Sequence, residues 1–569
     1  MHGTKRPGAI RGVLVFVVWE CLPRAPKANR PNIAATSIFR VYPINYGLIG
    51  TRNVRLSGII KTPPNFRRGK AIFRMRILLG AVRGLAFFIF VSSVQMVLGC
   101  DQLPAGQSLW VRLSSPISTY SAQVGDPIHA VLTQDIICGN EVVLPMGTAV
   151  EGTVKSKHKV GWGIRHETAT LELEFTQMSL GPDSSVQMTA RVEEVENARE
   201  HVKNGVIHGV MSSDTFQGRI NSRLIHMPTW NPYSDFGLII YKATFPIFPE
   251  PEIYYPSGTD MRLRTRSPMT SLPAAIALTA DSTTEESTLA NGWVNRLPQR
   301  ATTLEAVDAD LVNLVFLGSQ QQVEAAFREA GWRGSDAVSR HSVMQNLYAL
   351  LNNSGYAQQP MKTFLVEGKP EDMNWQKGLN SYGRRDHLRI WQWMPEGATE
   401  PVWISSSTHD TGAVLSVKYK GFVHHIAPDI DDERSKVIRD LNFEGCVQSV
   451  NYVPRPGIAT VTQNSTGDLI RTDGYVAVVQ LQDCRPVVPG LSASPSTARF
   501  RPGNHVFRYI RREILTFRND IWRANIIYGA YDLGRMAVAA LRHQPVPPMN
   551  GDAKPAVAVL PEATGSGVE

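Results

Sequence analysis

Cysteine is scarce in this chain of 569 residues, and the shortage excludes whole classes of site. The five cysteines, Cys21, Cys100, Cys138, Cys446 and Cys484, form no Cys-x-x-Cys pair, which rules out zinc ribbons and thioredoxin-like redox sites on spacing. In an oxidising compartment Cys446 and Cys484 can pair, the alternative being two separate buried thiols. A long membrane-spanning run is lacking too. LAFFIFVSSVQMVLG, Leu85 to Gly99, has fifteen residues with two serines and a glutamine, and a span needs roughly 20. Acid is nearly missing from the first 74 residues, where fourteen Lys or Arg face only Glu20, a charge of +13. The whole chain carries +9, so the remaining 495 residues carry −4. The basic balance belongs to the leader, and no nucleic-acid partner is expected for the body.

What the leader does contain is an export pattern. Arg67, Arg68, Lys70, Arg74, Arg76 and Arg83 precede the apolar run, as the basic region precedes the apolar core of a signal peptide. Met75 is a natural alternative start, so residues 1–74 read as a mis-called start or a disordered extension and 75–100 as a signal peptide or anchor. The run ends VLGC at Cys100, which resembles a bacterial lipobox with Leu98 where a smaller residue is usual. Lipidation at Cys100, plain cleavage and an uncleaved anchor all export the body, to the periplasm or to a membrane-anchored position facing it.

Residues 101–276 read as an all-β domain, an antiparallel barrel or sandwich. In ETATLELEFTQM, Ala169, Leu171, Leu173 and Phe175 alternate with Thr170, Glu172, Glu174 and Thr176. Val186, Met188, Ala190 and Val192 repeat the period across the turn Gly181–Ser184, the mark of a hairpin with one wet face. LPAGQSLWVRLSSPIS (103–118) and YPSGTDMRLRTRSPMT (255–270) echo one another, and LPMGTAVEGTVKSK from Leu144 is a shorter third copy. Pro-x-Gly is a tight turn that launches a strand, and Ser-Pro ends pairing because proline lacks a donor. The proline- and aromatic-rich stretch 225–255 reads as an extended segment laid over this domain. His158, Trp162 and His166, around a Gly-x-Gly turn, read as a surface loop.

A polar linker is expected over 277–307, then an α+β domain over 308–490. Its elements are a buried strand in LVNLVFLGS, a helix in QQQVEAAFREAGW, a helix around 343–351, and strands at HLRIWQW, PVWISSS, VLSVKYK, NYVP and YVAVVQL. Residues 491–543 read as a C-terminal helical region that packs on the body or lies on a membrane surface, with Asp520 and Asp532 favouring packing. Residues 544–569 read as a disordered tail.

VNLVFLGSQQQVEAAFREAGW, RRDHLRIWQW, PVWISSSTHDTG and HHIAPDIDDER stand in one order across roughly 308–455. Together they resemble the LssY C-terminal domain, a bacterial family named for a protein associated with type I secretion. The β-rich block resembles the domain that accompanies it in some exported proteins. The resemblance implies an envelope or secretion-system partner but no established activity. Some relatives attach this domain to a phosphatidic-acid-phosphatase-type membrane module. Here the only Pro-Ser-Gly, 256–258, is followed by Thr259 instead of histidine, so lipid phosphatase activity does not carry over.

The stretch HHIAPDIDDERSKVIRDL, His424 to Leu441, admits two readings. As architecture, Asp429 caps a helix, Asp431, Asp432 and Glu433 suit its positive end, and Val437, Ile438 and Leu441 are its buried face. As chemistry, His387, His409, Asp410, His424, His425 and Asp432 form a candidate metal or catalytic cluster, if three strands bring them together. Imidazole with carboxylate suits a divalent metal such as zinc, manganese or iron, poised for hydrolysis. Arg384, Arg385 and Arg434 are candidate anion ligands. A triad from Ser405–Ser407, His409 and Asp410 is disfavoured, because neighbours on a strand point to opposite faces and no Gly-x-Ser-x-Gly elbow is present. The leading function is an exported envelope binding or secretion-associated protein, the alternative a metal-dependent hydrolase. Membrane association is expected through residues 85–99 or Cys100.

Overall fold

The computed structural model describes residues 102–211, 250–277, 292–493 and 503–524, apart from short internal breaks, and a few positions between 534 and 542. The leader, the run 85–99, Cys100, most of the stretch 225–255 and the tail 544–569 lie outside the described residues.

Six strands make a closed barrel: β1 (Ser108–Leu113), β2 (Pro127–Leu132), β3 (Ala149–His158), β4 (Thr170–Gly181), β5 (Ser184–Val195) and β6 (Asp260–Thr265). The ring runs β4-β3-β2-β1-β6-β5, and pairing of β5 with β4 closes it. Period two explains the core. Leu171, Leu173 and Phe175 are fully buried with Leu109, Val111, Val150 and Leu263, and each such side chain contributes about 1.5–3 kcal/mol. Glu172 and Glu174 point outward to Lys155 and Arg191.

The repeated stretches build a pseudo-twofold motif. β1 and β6 pair antiparallel, Asp260 against Arg112 and Leu263 against Leu109. The residues before one copy pair with those after the other: Gln102 and Leu103 with Thr270 and Met269, Tyr254 and Tyr255 with Ser118 and Ile117. Gly106, Gly147 and Gly258 of the three Pro-x-Gly turns all have φ near +90°, at 89°, 86° and 86°, a conformation that glycine alone adopts without strain.

The second half is a mixed sheet with helices. Its strands are β7 (Leu314–Leu317), β8 (Met373–Lys377), β9 (Arg385–Trp393), β10 (Val402–Ser416), β11 (Gly421–Ile426), β12 (Val447–Pro454) and β13 (Tyr475–Leu481). Their order is β8-β9-β10-β7-β13-β12, with β11 paired to β10. Only β7 and β13 run parallel in this sheet. The helices are α1 (Gln320–Glu329), α2 (Arg340–Asn352), α3 (Ile430–Phe443) and, after the sheet, α4 (His505–Ala524). Barrel, α+β sheet and C-terminal helix agree with the fold class read from the sequence.

Helix α1 starts where it does because Ser319 and Gln322 form a reciprocal capping box. It buries Val323, Ala326 and Phe327, and Phe327 meets Phe316 and Trp332 edge-on and stacks on Trp375. LVNLVFLGS holds the expected buried strand, β7, and its first residue ends a separate strand, Asp308–Leu311. Between them Asn313 turns its amide inward to Ser407 and the Ile430 carbonyl. The two faces of the sheet are covered by different clusters. Leu388 and Ile390 pack with Val437 and Leu441 of α3, whereas Trp391 and Ile404 pack with Val294, Leu297 and Ala301. Cys446 and Cys484 form a disulfide joining the end of α3 to the segment after β13. Residues Gln95–Glu569 form one compact unit.

Candidate functional site

Strand β9, RDHLRIWQW, is buried on both faces from Arg385 to Trp391, so its charged residues need partners inside the protein. Alternation sends Arg385, His387 and Arg389 to one face and Asp386 to the other. The register with β10 places Asp410 opposite Arg385, Thr408 opposite His387 and His409 opposite Asp386. Two polar clusters therefore lie back to back across one sheet.

On the first face Asp410, 1% exposed, is the hub. Arg385 Nε donates to its Oδ2 at 2.8 Å, His424 Nδ1 stands 3.2 Å from Oδ2, and His387 Nδ1 stands 3.5 Å from Oδ1. Arg385 also donates to Gln376 at 2.7 Å. Thr408 Oγ1 meets His387 Nε2 at 3.0 Å, and Gln359 meets His424 Nε2 at 3.2 Å. Burial pushes the His387 imidazole down to about 3, against the pull of Asp410, so the ring is neutral. Burial works against the Asp410 carboxylate as well, but the His387, His424 and Arg385 donors around it outweigh that and hold it ionised.

On the second face His409 Nδ1 lies 2.7 Å from Asp386 Oδ1, and Asn197 of the barrel donates to Oδ2 at 2.7 Å. Burial lowers the His409 imidazole, yet the bond to Asp386 and its charge more than compensate and raise it. Below this pair α3 presents Glu433, Lys436 and Asp440, at the i, i+3 and i+7 spacing of one helix face. Lys436 Nζ reaches Asp440 at 2.7 Å, Glu196 at 3.0 Å and Asp386 at 3.6 Å. Asp440 also takes Lys377 at 2.9 Å and Trp332 Nε1 at 3.0 Å. The chain of pairs continues into the barrel. Lys377 reaches Asp260 at 3.3 Å, and Arg112 holds Asp260 at 2.7 Å and Glu444 at 2.9 Å. Arg439 lies over Trp110 at 4.0 Å and pairs with Glu196 at 3.2 Å. A buried ionic seam thus joins barrel and sheet.

The structure gathers His387, Asp410 and His424 and separates the other three candidates from them. His409 is on the opposite face, for the alternation that disfavoured a triad. His425 points away from His424 and pairs with Asp468 at 2.6 Å. Asp432 is exposed on the first turn of α3, and no bond joins it to the histidines among the described residues. Of the arginines, Arg385 belongs to the Asp410 cluster, while Arg434 is bound by Asp473 at 2.7 Å and Asp431 at 3.1 Å. Arg384 is half-buried, its backbone N–H donating to Ser381. Asp429 occupies the N-cap of α3 without a side-chain capping bond. Asp386 and Glu196 were not picked out in the sequence, and Glu433 was read only as a first-turn acid of the helix. For Asp386 the available signal was a run of charges inside a strand otherwise made for burial.

Residues 294–476 match the family model described as LssY C-terminus. This segment is an LssY C-terminal domain. It contains the Asp410 cluster, the sheet and helix residues of the second cluster, the sheet from β7 to β12 and helices α1, α2 and α3, whereas the barrel, with Arg112, Glu196, Asn197 and Asp260, and α4 lie outside it. No curated protein matches the chain. Among solved structures it is similar to ComB10 of the Com Type IV secretion system of Helicobacter pylori, at 12% identity and a TM-score of 0.18. That likeness covers 31% of this chain and 96% of the other, and at such a score it carries no argument about the LssY C-terminal domain or the barrel.

Proposed function

We propose that this protein is an exported envelope component that acts by binding, and that α4 seats it on a membrane surface. The observation that carries the reading is the inverted polarity of α4. Its arginines face the protein: Arg511, 5% exposed, pairs with Glu250 and Glu252, and Arg518, 7% exposed, donates to the Gly161 carbonyl. Four of its apolar residues face out, Val506, Phe507, Ile510 and Ile514, between 43% and 62% exposed, while Leu515 packs into the barrel core. Arg508 and Arg512, half-buried, lie on the far side of the helix from that stripe. An exposed apolar stripe on a helix held to the body by its other face is what a helix lying in a bilayer interface presents. The Cys446–Cys484 disulfide supports an oxidising compartment, as the sequence of the leader does. No helix among the described residues is long and apolar enough to cross a membrane.

Flotation of the full chain with phosphatidylglycerol vesicles tests this. Phe507→Ser with Ile510→Ser removes two exposed apolar side chains without touching the core. It should weaken association by about tenfold or more, since each such group contributes roughly 1.5 kcal/mol or more on burial. Equal flotation of variant and wild type would overturn the reading.

A further inference from the structure

The seam is out of electrical balance. Asp260, Glu444, Asp440, Glu196 and Asp386 are each paired with Arg112, Lys377, Lys436 or Arg439. Glu433 is a sixth carboxylate, so six acids face four permanent cations and the His409 imidazole, and the acids are in excess. Glu433 is 3% exposed, and its side chain has no hydrogen-bond or ion-pair partner among the described residues, with Oε1 wholly shielded. An unpaired carboxylate in such surroundings is strongly disfavoured. Lys436 relieves it only in part, being held by Asp440 and Glu196.

The position of Glu433 suggests what does. Its carboxylate, Asp386 and His409 each offer a ligand atom, and these atoms all lie within 4.8 Å of one another. Ligand atoms at about 2.1 Å in tetrahedral coordination stand about 3.4 Å apart, so the three would draw together by up to about 1.4 Å to close on one ion. The three come from β9, β10 and the first turn of α3, so an ion there would tie helix to sheet. The His409 side chain, 24% exposed, gives the group its contact with solvent.

We propose that Asp386, His409 and Glu433 form a binding site for a divalent cation of the zinc or manganese kind, which neutralises the excess charge of the seam. One imidazole with two carboxylates is a borderline-hard donor set and suits those ions better than copper(I) or an iron–sulfur cluster. The site is distinct from the His387–Asp410–His424 cluster, which occupies the other face of the sheet. It is independent of the membrane reading, because no α4 residue takes part.

The test is calorimetric titration of the chelator-treated full chain with zinc and with manganese chloride, beside its thermal melt. One equivalent of at least one ion should bind, and at hundredfold excess over Kd the melting temperature should rise by roughly 3 °C. Glu433→Gln keeps the volume and removes the charge. It should weaken binding at least about tenfold while the metal-free melt rises, which also reports that the variant folds. His409→Ala should weaken binding similarly, and His424→Ala should leave it unchanged. Absence of binding to the wild type at millimolar metal overturns the proposal. So does binding that survives both Glu433→Gln and His409→Ala, or that is lost only with His424→Ala.

Discussion

Arg112→Met is the perturbation that interrogates the seam most directly. Arg112 is 1% exposed, holds Asp260 through Nε at 2.7 Å and Nη2 at 3.2 Å, and holds Glu444 through Nη1 at 2.9 Å. Its guanidinium also lies 4.6 Å from the centre of the Phe443 ring. Methionine keeps the apolar stem and deletes the charge. Asp260 retains Lys377 at 3.3 Å, but Glu444 loses its only ion-pair partner among the described residues and stays 3% exposed. Breaking a buried pair on one side costs about 3–5 kcal/mol, with a further ~0.5 kcal/mol from the ring contact. Urea unfolding followed by tryptophan fluorescence measures this, since Trp110 reports the barrel and Trp332 and Trp375 report the sheet. The loss should exceed about 3 kcal/mol. Adding Glu444→Gln should restore part of it, with a coupling of about 1 kcal/mol or more. A loss below about 1 kcal/mol would sink the reasoning, because that is what a solvated surface pair is worth.

Three other outcomes follow from the same geometry. Cys446→Ala with Cys484→Ala opens a loop of 38 residues and should cost about 4 kcal/mol by the loop-entropy relation, read as a drop in melting temperature that added reductant does not deepen. His387 is neutral when folded, with its pKa pushed down to about 3, while the unfolded chain takes up that proton below about 6.5. The unfolded state therefore binds more protons as pH falls through that window. The contribution of His387 to stability is complete above pH 6.5 and lost below it, with a slope approaching 1.4 kcal/mol per pH unit, and His387→Gln should flatten that limb in pH-dependent denaturation. Ser319→Ala removes one arm of the α1 capping box and should cost about 1 kcal/mol in the same assay.

The legibility of this chain tracks the range of the interactions that shape it. The barrel strands were visible because period-two alternation is a local property, and ETATLELEFTQM buries the face its pattern assigns. The reciprocal pairing of the two Pro-x-Gly copies was half visible, since the echo could be read but not the partner. The candidate site was less legible. His387, Asp410 and His424 could be named, whereas the separation of His409 depends on the register between β9 and β10, which only the folded sheet fixes. Glu433 looked like a solvated acid of a helix's first turn. Whether that helix face meets water or a partner is decided in part by the barrel, whose Glu196 meets Lys436 from more than 200 residues away in the chain.

The seam also bears on how the chain survives its own synthesis. Arg112, Glu196 and Asp260 are made long before Lys377, Asp386 and Lys436, so an emerging barrel must wait with that surface uncovered. Had the junction been built of leucines, the waiting surface would be a patch inviting aggregation. Built of arginine and carboxylates, it stays wetted until its counterpart arrives. The desolvation penalty falls due only at the final closure, when opposite charges stand ready to meet it.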